Sequence, residues 1–342
     1  MIKEEFIQKF RELTGSARHP VVITHYDPDG DAVGSALGMA LYLEKKVQDK
    51  VPVLIPNTDP AFLQWLPGHD QIIFYDHDPE ACTRIIRSSD LILLVDFNVR
   101  NRLKKMEPCV FTSRIPSVLI DHHPDPDIPS ILVISDTERS STAELIYDLI
   151  IGCGDAGLID TRIAVNLFTG IMTDTGCFSY NASRPRTFEI TAQLLQYPFS
   201  KDTVYRNVYD FYSEQRMRLM GYCLHQKMKV IPECRTAYIA LTRKELEDFR
   251  HEPGDTEGFV NLPFSIRGTL VTALFTEKDD HVKISFRSRG TFAVNTFAGR
   301  YFSGGGHYHA AGGEYPLPLE AAIQKFTELI QKHKDEIRDS NL

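Results

Sequence analysis

Short apolar runs that break abruptly into carboxylates and imidazoles constrain this chain more than any other feature. Val21-Val22-Ile23-Thr24 runs straight into His25-Tyr26-Asp27-Pro28-Asp29-Gly30-Asp31. Ser117-Val118-Leu119-Ile120 runs into Asp121-His122-His123, and Leu91-Ile92-Leu93-Leu94-Val95 ends on Asp96. Charged side chains are seldom buried without partners, and clusters of Asp and His commonly hold a metal. Three strand-like segments therefore deliver acidic or imidazole groups at the same relative place, their carboxyl ends.

The periodicity around these runs predicts the fold class. Helical spacing covers residues 2–13, 31–46, 141–151, 160–173 and 186–197. Strand-like runs cover 20–25, 51–55, 71–74, 91–95, 117–120 and 131–134. Continuously apolar strands alternating with helices imply an α/β architecture, a parallel sheet with helices on both faces. Ligands of such sheets sit beyond the carboxyl ends of the strands, where the unusual residues fall. From about 198 to 229 the pattern is helical and highly charged, which reads as a helical linker. Short strands follow at 236–241, 270–275 and 281–286, then a glycine-rich loop at Gly304-Gly305-Gly306-His307 and a closing helix near 318–336. The expected division is a first domain over 1–197, a linker over 198–229 and a smaller mixed α/β domain over 230–342.

A length of 342 residues favours two domains over one. No apolar stretch approaches the ~20 residues of a membrane span, and the acidic amphipathic start at Met1–Phe6 is unlike a signal peptide. A cytoplasmic enzyme with no membrane partner is expected. The six cysteines contain no CxxC pair, so free thiols are expected rather than a disulfide framework or structural zinc. A formal charge of -8 argues against a long nucleic-acid groove and favours a short or small phosphorylated substrate.

Pro28 and Gly30 let the chain turn sharply, so Asp29 and Asp31 can point into one space at the start of a helix, each toward a different ion. Asp96 would be a poor core residue without a partner. In Asp121-His122-His123, one imidazole can bind metal while the other contacts substrate, and Asp121 can hold an imidazole tautomer. Asp174 falls near a helix end, with Gly176 behind it. Asp29, Asp31, Asp96 and Asp174 carry four negative charges, matching two divalent cations; unmetallated, they would repel one another. Imidazole and carboxylate without thiolate favour manganese, leave cobalt or zinc open and suit magnesium less. Two such ions about 3.5–4 Å apart can activate water and clamp a phosphoryl group. For the substrate anion, Arg287 and Arg289 share a face if their strand continues, and the triple glycine before His307 lets backbone N–H groups approach a phosphate.

These segments together resemble the DHH phosphoesterase superfamily over nearly the whole chain: HYDPDGDAVGS (25–35), LLVDFNVRNR (93–102), IDHHP (120–124), SSTAEL (140–145) and GIMTDTGCF (170–178). VKISFRSRG (282–290) and GGGHYHAAGG (304–313) are similar to the DHHA1 substrate-binding domain. The resemblance implies two manganese ions held by His25, Asp29, Asp31, Asp96, His122 and Asp174, with Asp96 bridging. It implies that His123 contacts the scissile phosphate and that Asp121 supports the histidines. Arg287, Ser288, Arg289, Gly304, Gly305, Gly306 and His307 would grip the substrate, with the active site in the interdomain cleft. Asp27 stands where relatives often carry a non-acidic residue.

Within the superfamily the GGGH tail disfavours the manganese pyrophosphatase branch. The chain is expected to lack the further domains of full-length RecJ-type exonucleases, an alanyl-tRNA-synthetase editing context and a membrane sensor region. It thus looks like the compact nanoRNase/pAp-phosphatase group. That group implies hydrolysis of short single-stranded oligonucleotides and of the 3′-phosphate of adenosine 3′,5′-bisphosphate (pAp). A phosphodiesterase for cyclic di-AMP or pApA and a single-strand-specific RecJ-like exonuclease are the sibling expectations, and a homodimer is compatible with the resemblance alone. A nucleotide sensor without catalysis is the reading from another class, and the six ligand positions, all present, weigh against it.

Overall fold

The computed structural model describes residues 2–210 and 212–339 and forms two compact units, Met1–Phe211 and Tyr212–Leu342. In the first unit the elements run α1 (Glu4–Ser16), β1 (Pro20–Ile23), α2 (Gly30–Val47), β2 (Val53–Ile55), β3 (Ile72–Phe74), α3 (Pro79–Ser88) and β4 (Leu91–Val95). They continue as α4 (Glu107–Phe111), β5 (Ser117–Asp121), β6 (Leu132–Ser135), α5 (Thr142–Gly152), α6 (Thr161–Asp174), α7 (Pro185–Leu194) and α8 (Lys201–Tyr209). The six strands form one parallel sheet in the order β3-β2-β1-β4-β5-β6.

The unbroken apolar runs follow from two buried faces. Along β1, β4 and β5, Val22, Leu91, Leu93, Val95, Val118 and Ile120 face a core shared with α1, α2, α5 and α6. Their neighbours Val21, Ile23, Ile92, Leu94 and Leu119 face a second core under α3 and α4, with Cys82, Ile86 and Val110. Alternation therefore selects which core a residue enters rather than core or solvent.

Glycines bring α2 and α6 together. Gly30, Gly34 and Gly38 recur every four residues on one face of α2, and a Cβ on Gly34 would lie 2.5 Å from the Asn166 carbonyl oxygen of α6. A Cβ on Gly30 would meet Thr173, and one on Gly170 would meet Asp31 Oδ1 at 2.7 Å. This close crossing lets a carboxylate near the start of α2 approach the end of α6.

The second unit contains α9 (Glu214–Tyr222), β7 (Met228–Ile231), β8 (Thr236–Leu241), α10 (Arg243–Asp248), β9 (Val271–Glu277) and β10 (His281–Ser288). It closes with α11 (Val294–Tyr301), β11 (Gly305–His307), β12 (Ala310–Pro316), α12 (Leu319–Lys332) and α13 (Lys334–Arg338). Its mixed sheet has the order β11-β12-β10-β9-β8-β7, in which only β8 and β9 pair in parallel. An aromatic core of Phe275, Phe286, Phe297 and Phe326 fills one face, with the Phe275 and Phe326 rings 5.3 Å apart. Leu219, Leu246 and Phe259 cover the other.

Some local expectations change. Residues 305–307 form a strand rather than a free loop, because glycine lets that strand lie close to β12: a Cβ on Gly306, at φ +138°, would stand 2.6 Å from the Ala310 carbonyl oxygen. Within 198–229, α8 belongs to the first unit and α9 to the second. No described helix is long and apolar enough to cross a membrane. All six cysteines are free.

The α2–α6 crossing generates a stability prediction. Gly34→Val should lower the stability of the first unit by about 2–3 kcal/mol, because the added atoms meet backbone that cannot rotate away. Urea unfolding with a first-unit probe measures this, and an unchanged midpoint would contradict the packing.

Candidate active site

The winding of the first sheet reverses between β1 and β4, which lie side by side. The loops leaving these two strands carry His25 and Asp96, so both residues fall at the switch point where open α/β sheets bind ligands. The next strand, β5, ends on Asp121 and leads into His122 and His123. Asp29 is the N-cap of α2, its Oδ1 accepting from the backbone N–H groups of Asp31 and Ala32 at 3.0 Å each. Asp174 is the last residue of α6.

Asp96 is the hub. It is 1% exposed and its backbone sits at φ +66°, a left-handed conformation that costs an L-residue roughly 1–2 kcal/mol. His25 Nε2 lies 3.6 Å from Asp96 Oδ2, and His122 Nε2 lies 3.5 Å from Asp96 Oδ1. His122 Nε2 is also 3.6 Å from Asp174 Oδ2 and 3.9 Å from Asp31 Oδ2. Most of these separations exceed good hydrogen-bond length, yet all converge on one space.

The tautomers explain why. His25 Nδ1 faces the Tyr26 carbonyl oxygen at 2.8 Å, and His122 Nδ1 faces the Arg139 carbonyl oxygen at 3.3 Å. A carbonyl can only accept, so each Nδ1 carries a proton, and in the neutral ring that can bind a metal the lone pair of Nε2 faces the carboxylates. Lone pair against carboxylate oxygen is repulsive unless a cation stands between them. His25 Nε2 and Asp121 Oδ2 are buried without a hydrogen-bond partner, as metal-directed atoms would be. Ligand atoms of His25, Asp29 and Asp96 lie within 4.8 Å of one another, as do those of Asp31, Asp96 and His122 and those of Asp96, Asp121 and His123. Asp96 belongs to all three groups.

The electrostatics point the same way. Burial pushes the Asp31 pKa well up, and the charges of Asp96 and Asp174 add to the rise. Burial opposes ionisation of Asp96 too, but the adjacent His25, His123 and His122 hold its pKa below the ordinary carboxylate range. For His122, burial favours the neutral ring, but Asp96, Asp31 and Asp121 outweigh it and raise the pKa. Divalent cations would relieve this concentration of negative charge.

A shell of donors holds the carboxylates. Thr142 Oγ1 donates to Asp96 Oδ1 at 2.7 Å. The backbone N–H groups of Thr142 and Ala143, at the start of α5, donate to Asp31 at 2.6 and 3.0 Å, and Ser35 Oγ donates to it at 2.9 Å. Arg139, whose carbonyl orients His122, is pinned through its buried guanidinium to Asp136 at 3.1 Å and Asp148 at 2.8 Å. Sequence reasoning gave no role to Thr142, Arg139 or Ser35. The Ser141-x-x-Glu144 helix-start pattern was a usable signal for α5, but not for which carboxylate its N-terminus meets.

His123 Nδ1 lies 2.8 Å from Asp121 Oδ1, so within the triplet Asp121 orients His123 while Arg139 orients His122. Asp27 turns to Asn57, accepting from its side-chain amide at 2.9 Å and donating its own N–H to Asn57 Oδ1 at 2.7 Å.

The remaining expected site residues lie in the second unit. Arg287 and His307 both pair with Ala310 from opposite sides of β12, which puts their side chains on one face of the sheet. Gly305 and Gly312 are opposite each other one pair further along that face, and neither places a side chain there. The strand β10 ends at Ser288, so Arg289 does not continue the row; its guanidinium stacks on Phe264 at 4.4 Å. Ser288 is buried, its hydroxyl bonded to the Phe292 carbonyl and to His309.

Residues 20–171 match the DHH family, N-terminal domain, and residues 237–337 match the DHHA1 domain. A crystal structure of an exopolyphosphatase-related protein from Bacteroides fragilis superposes with a TM-score of 0.94 at 38% identity, covering 99% of each chain. The chain belongs to the DHH family of phosphoesterases. The bifunctional oligoribonuclease and PAP phosphatase NrnA of Bacillus subtilis is 28% identical over 84% of this chain and 86% of its own. The RecJ–Mn2+ complex of Thermus thermophilus is similar in fold, with a TM-score of 0.54 at 14% identity over 98% of this chain and 55% of that one.

For this DHH chain, Thr142→Val keeps the side-chain shape and removes the donor to Asp96. Divalent-metal affinity measured by calorimetry should fall about 10–100-fold. An unchanged affinity would show that Thr142 does not tune the cluster.

Proposed function

We propose that this chain is a two-metal, manganese-dependent phosphoesterase that cleaves short single-stranded oligonucleotides and removes the 3′-phosphate of adenosine 3′,5′-bisphosphate. The observation that carries the reading is the pair of Nδ1-protonated histidines, His25 and His122, whose Nε2 atoms converge with Asp31 and Asp174 on the buried Asp96. His25, Asp29, Asp31, Asp96, His122 and Asp174 would hold the two cations, with Asp96 between them. The mixed imidazole and carboxylate donors suit manganese, the ion named for the RecJ complex. When bound, such cations supply Lewis acidity to phosphoryl oxygens and lower the pKa of water.

The side chains do the rest. Asp121 fixes His123 with Nδ1 toward itself, which aims Nε2 outward, where, carrying a proton, it would donate to a phosphoryl oxygen. Arg287 and His307, in one row beside the Gly305–Gly312 pair, offer a cation, an imidazole and room for a phosphate. Ser288, Arg289, Gly304 and Gly306 complete that grip, Ser288 by orienting His309 and Gly304 and Gly306 by allowing the tight β11–β12 pairing. We assign the metal chemistry to residues 1–197 and the substrate grip to 230–342, with 198–229 joining them. The substrate preference rests on the name of the NrnA relative, an oligoribonuclease and PAP phosphatase.

Turnover of pAp, pApA, a five-residue RNA and cyclic di-AMP, compared side by side with manganese present, tests the reading. Activity on pAp and the short RNA is expected, and activity confined to cyclic di-AMP would replace it. Asp96→Ala should cut turnover by more than the roughly 100-fold typical of an outer-shell change; full manganese-dependent activity in that variant would exclude the mechanism. Arg287→Ala should raise KM about 10–100-fold with kcat nearly kept, as expected for loss of a charge-assisted contact.

A further inference from the structure

We propose that His309 Nε2 is a fixed hydrogen-bond acceptor that reads an N–H or O–H donor on the substrate nucleoside, making His309 a specificity-determining residue. This deepens the nucleotide reading above and rests on it.

The Ser288 hydroxyl has one hydrogen, and its 2.6 Å contact with the Phe292 carbonyl oxygen must use it, because a carbonyl cannot donate. Ser288 Oγ is also 3.0 Å from His309 Nδ1. With its hydrogen committed, the oxygen can only accept there, so Nδ1 carries the ring proton. In a neutral imidazole the other nitrogen, Nε2, is then an acceptor and nothing else. Partial burial lowers the His309 pKa, which keeps the ring neutral at pH 7. The backbone repeats the attachment, since the Ser288 N–H donates to the His309 carbonyl at 3.0 Å. Ser288 itself is buried, so this anchor is shielded from water, while His309 is exposed.

Its surroundings suit a nucleotide. Tyr308 is 47% exposed, its hydroxyl donates to the Thr291 carbonyl at 2.5 Å, and its ring stands edge-on to His309 with centroids 4.7 Å apart. That restrained ring is a surface on which a base can stack. Arg287 pairs with Ala310, the residue next to His309, and its side chain lies on the face opposite that of Ser288. An acceptor and an aromatic ring thus stand together at the turn between β11 and β12. A fixed acceptor favours a substrate that presents a donor, such as the exocyclic amine of adenine or the ribose 2′-hydroxyl, over one that presents an acceptor or nothing.

Two measurements on the full chain test this. Long-range proton–nitrogen NMR of the histidine rings should show His309 protonated at Nδ1; protonation at Nε2 overturns the proposal. Second, kcat/KM is compared for the 3′,5′-bisphosphates of adenosine, inosine and 2′-deoxyadenosine. Inosine replaces the amine by a carbonyl, and the deoxy compound removes the hydroxyl. The wild type should prefer adenosine to one of the two by about tenfold, the worth of one neutral hydrogen bond. A preference against inosine identifies the base amine as the donor, and one against the deoxy compound identifies the ribose hydroxyl. In His309→Phe the preference should collapse toward unity through KM, while His309→Gln, which retains an acceptor, should restore part of it. If the wild type hydrolyses all three without preference, or if His309→Phe keeps the preference, the inference is overturned and the nucleotide reading survives. If the wild type hydrolyses none of them, both fall.

Discussion

A carboxylate buried at the switch point of the parallel sheet sets the terms for the first unit. Asp96 has almost no exposure and sits on left-handed backbone. An isolated buried charge is so costly that it must be neutralised, bonded or coordinated. Its surroundings answer that demand in layers: the Thr142 hydroxyl binds one oxygen, and His25 and His122 bring their Nε2 atoms to its edge. Backbone carbonyls of Tyr26 and Arg139 choose the tautomers of those rings. Even the glycine face of α2 belongs to this arrangement, because it brings Asp31 to the end of α6.

Segment 139–143 shows how one short stretch can serve several acids. Its carbonyl at Arg139 aims an imidazole, its Thr142 hydroxyl and N–H reach Asp96 and Asp31, and its Ala143 N–H reaches Asp31 again. The buried Arg139 guanidinium, held by Asp136 and Asp148, anchors the segment away from the acids. A site preset in this way loses little conformational freedom when a cation arrives, which is the physical value of an outer shell. In the second unit, Ser288 sets a tautomer by the same logic, with a hydroxyl in place of a carbonyl.

Much of this was legible in the sequence because the informative residues interrupt strong patterns. His25, Asp96 and Asp121 end apolar runs, so their position at the carboxyl edge of a sheet followed from the pattern, and Asp29 and Asp31 sat behind a turn signal. The division of labour in the triplet was less legible: Asp121 bonds His123, whereas the partner of His122 is a carbonyl 17 residues away. Thr142 and Arg139 were invisible as site residues because their roles depend on where α5 docks, which no local spacing encodes. Strand ends were similarly uncertain. Arg287 and Arg289 share a face only if β10 continues, and it stops at Ser288. The glycine run 304–306 reads as a loop by composition, yet glycine is also what allows a strand to lie against β12 without a Cβ collision.

The central claim is that the convergent Nε2 atoms and carboxylates around Asp96 hold two divalent cations. Anomalous diffraction from manganese-loaded crystals tests it most directly. The account predicts two manganese peaks about 3.5–4 Å apart, flanking Asp96, with His25 and His122 bound through Nε2. A map with no peak at Asp96, or with either histidine bound through Nδ1, would contradict it.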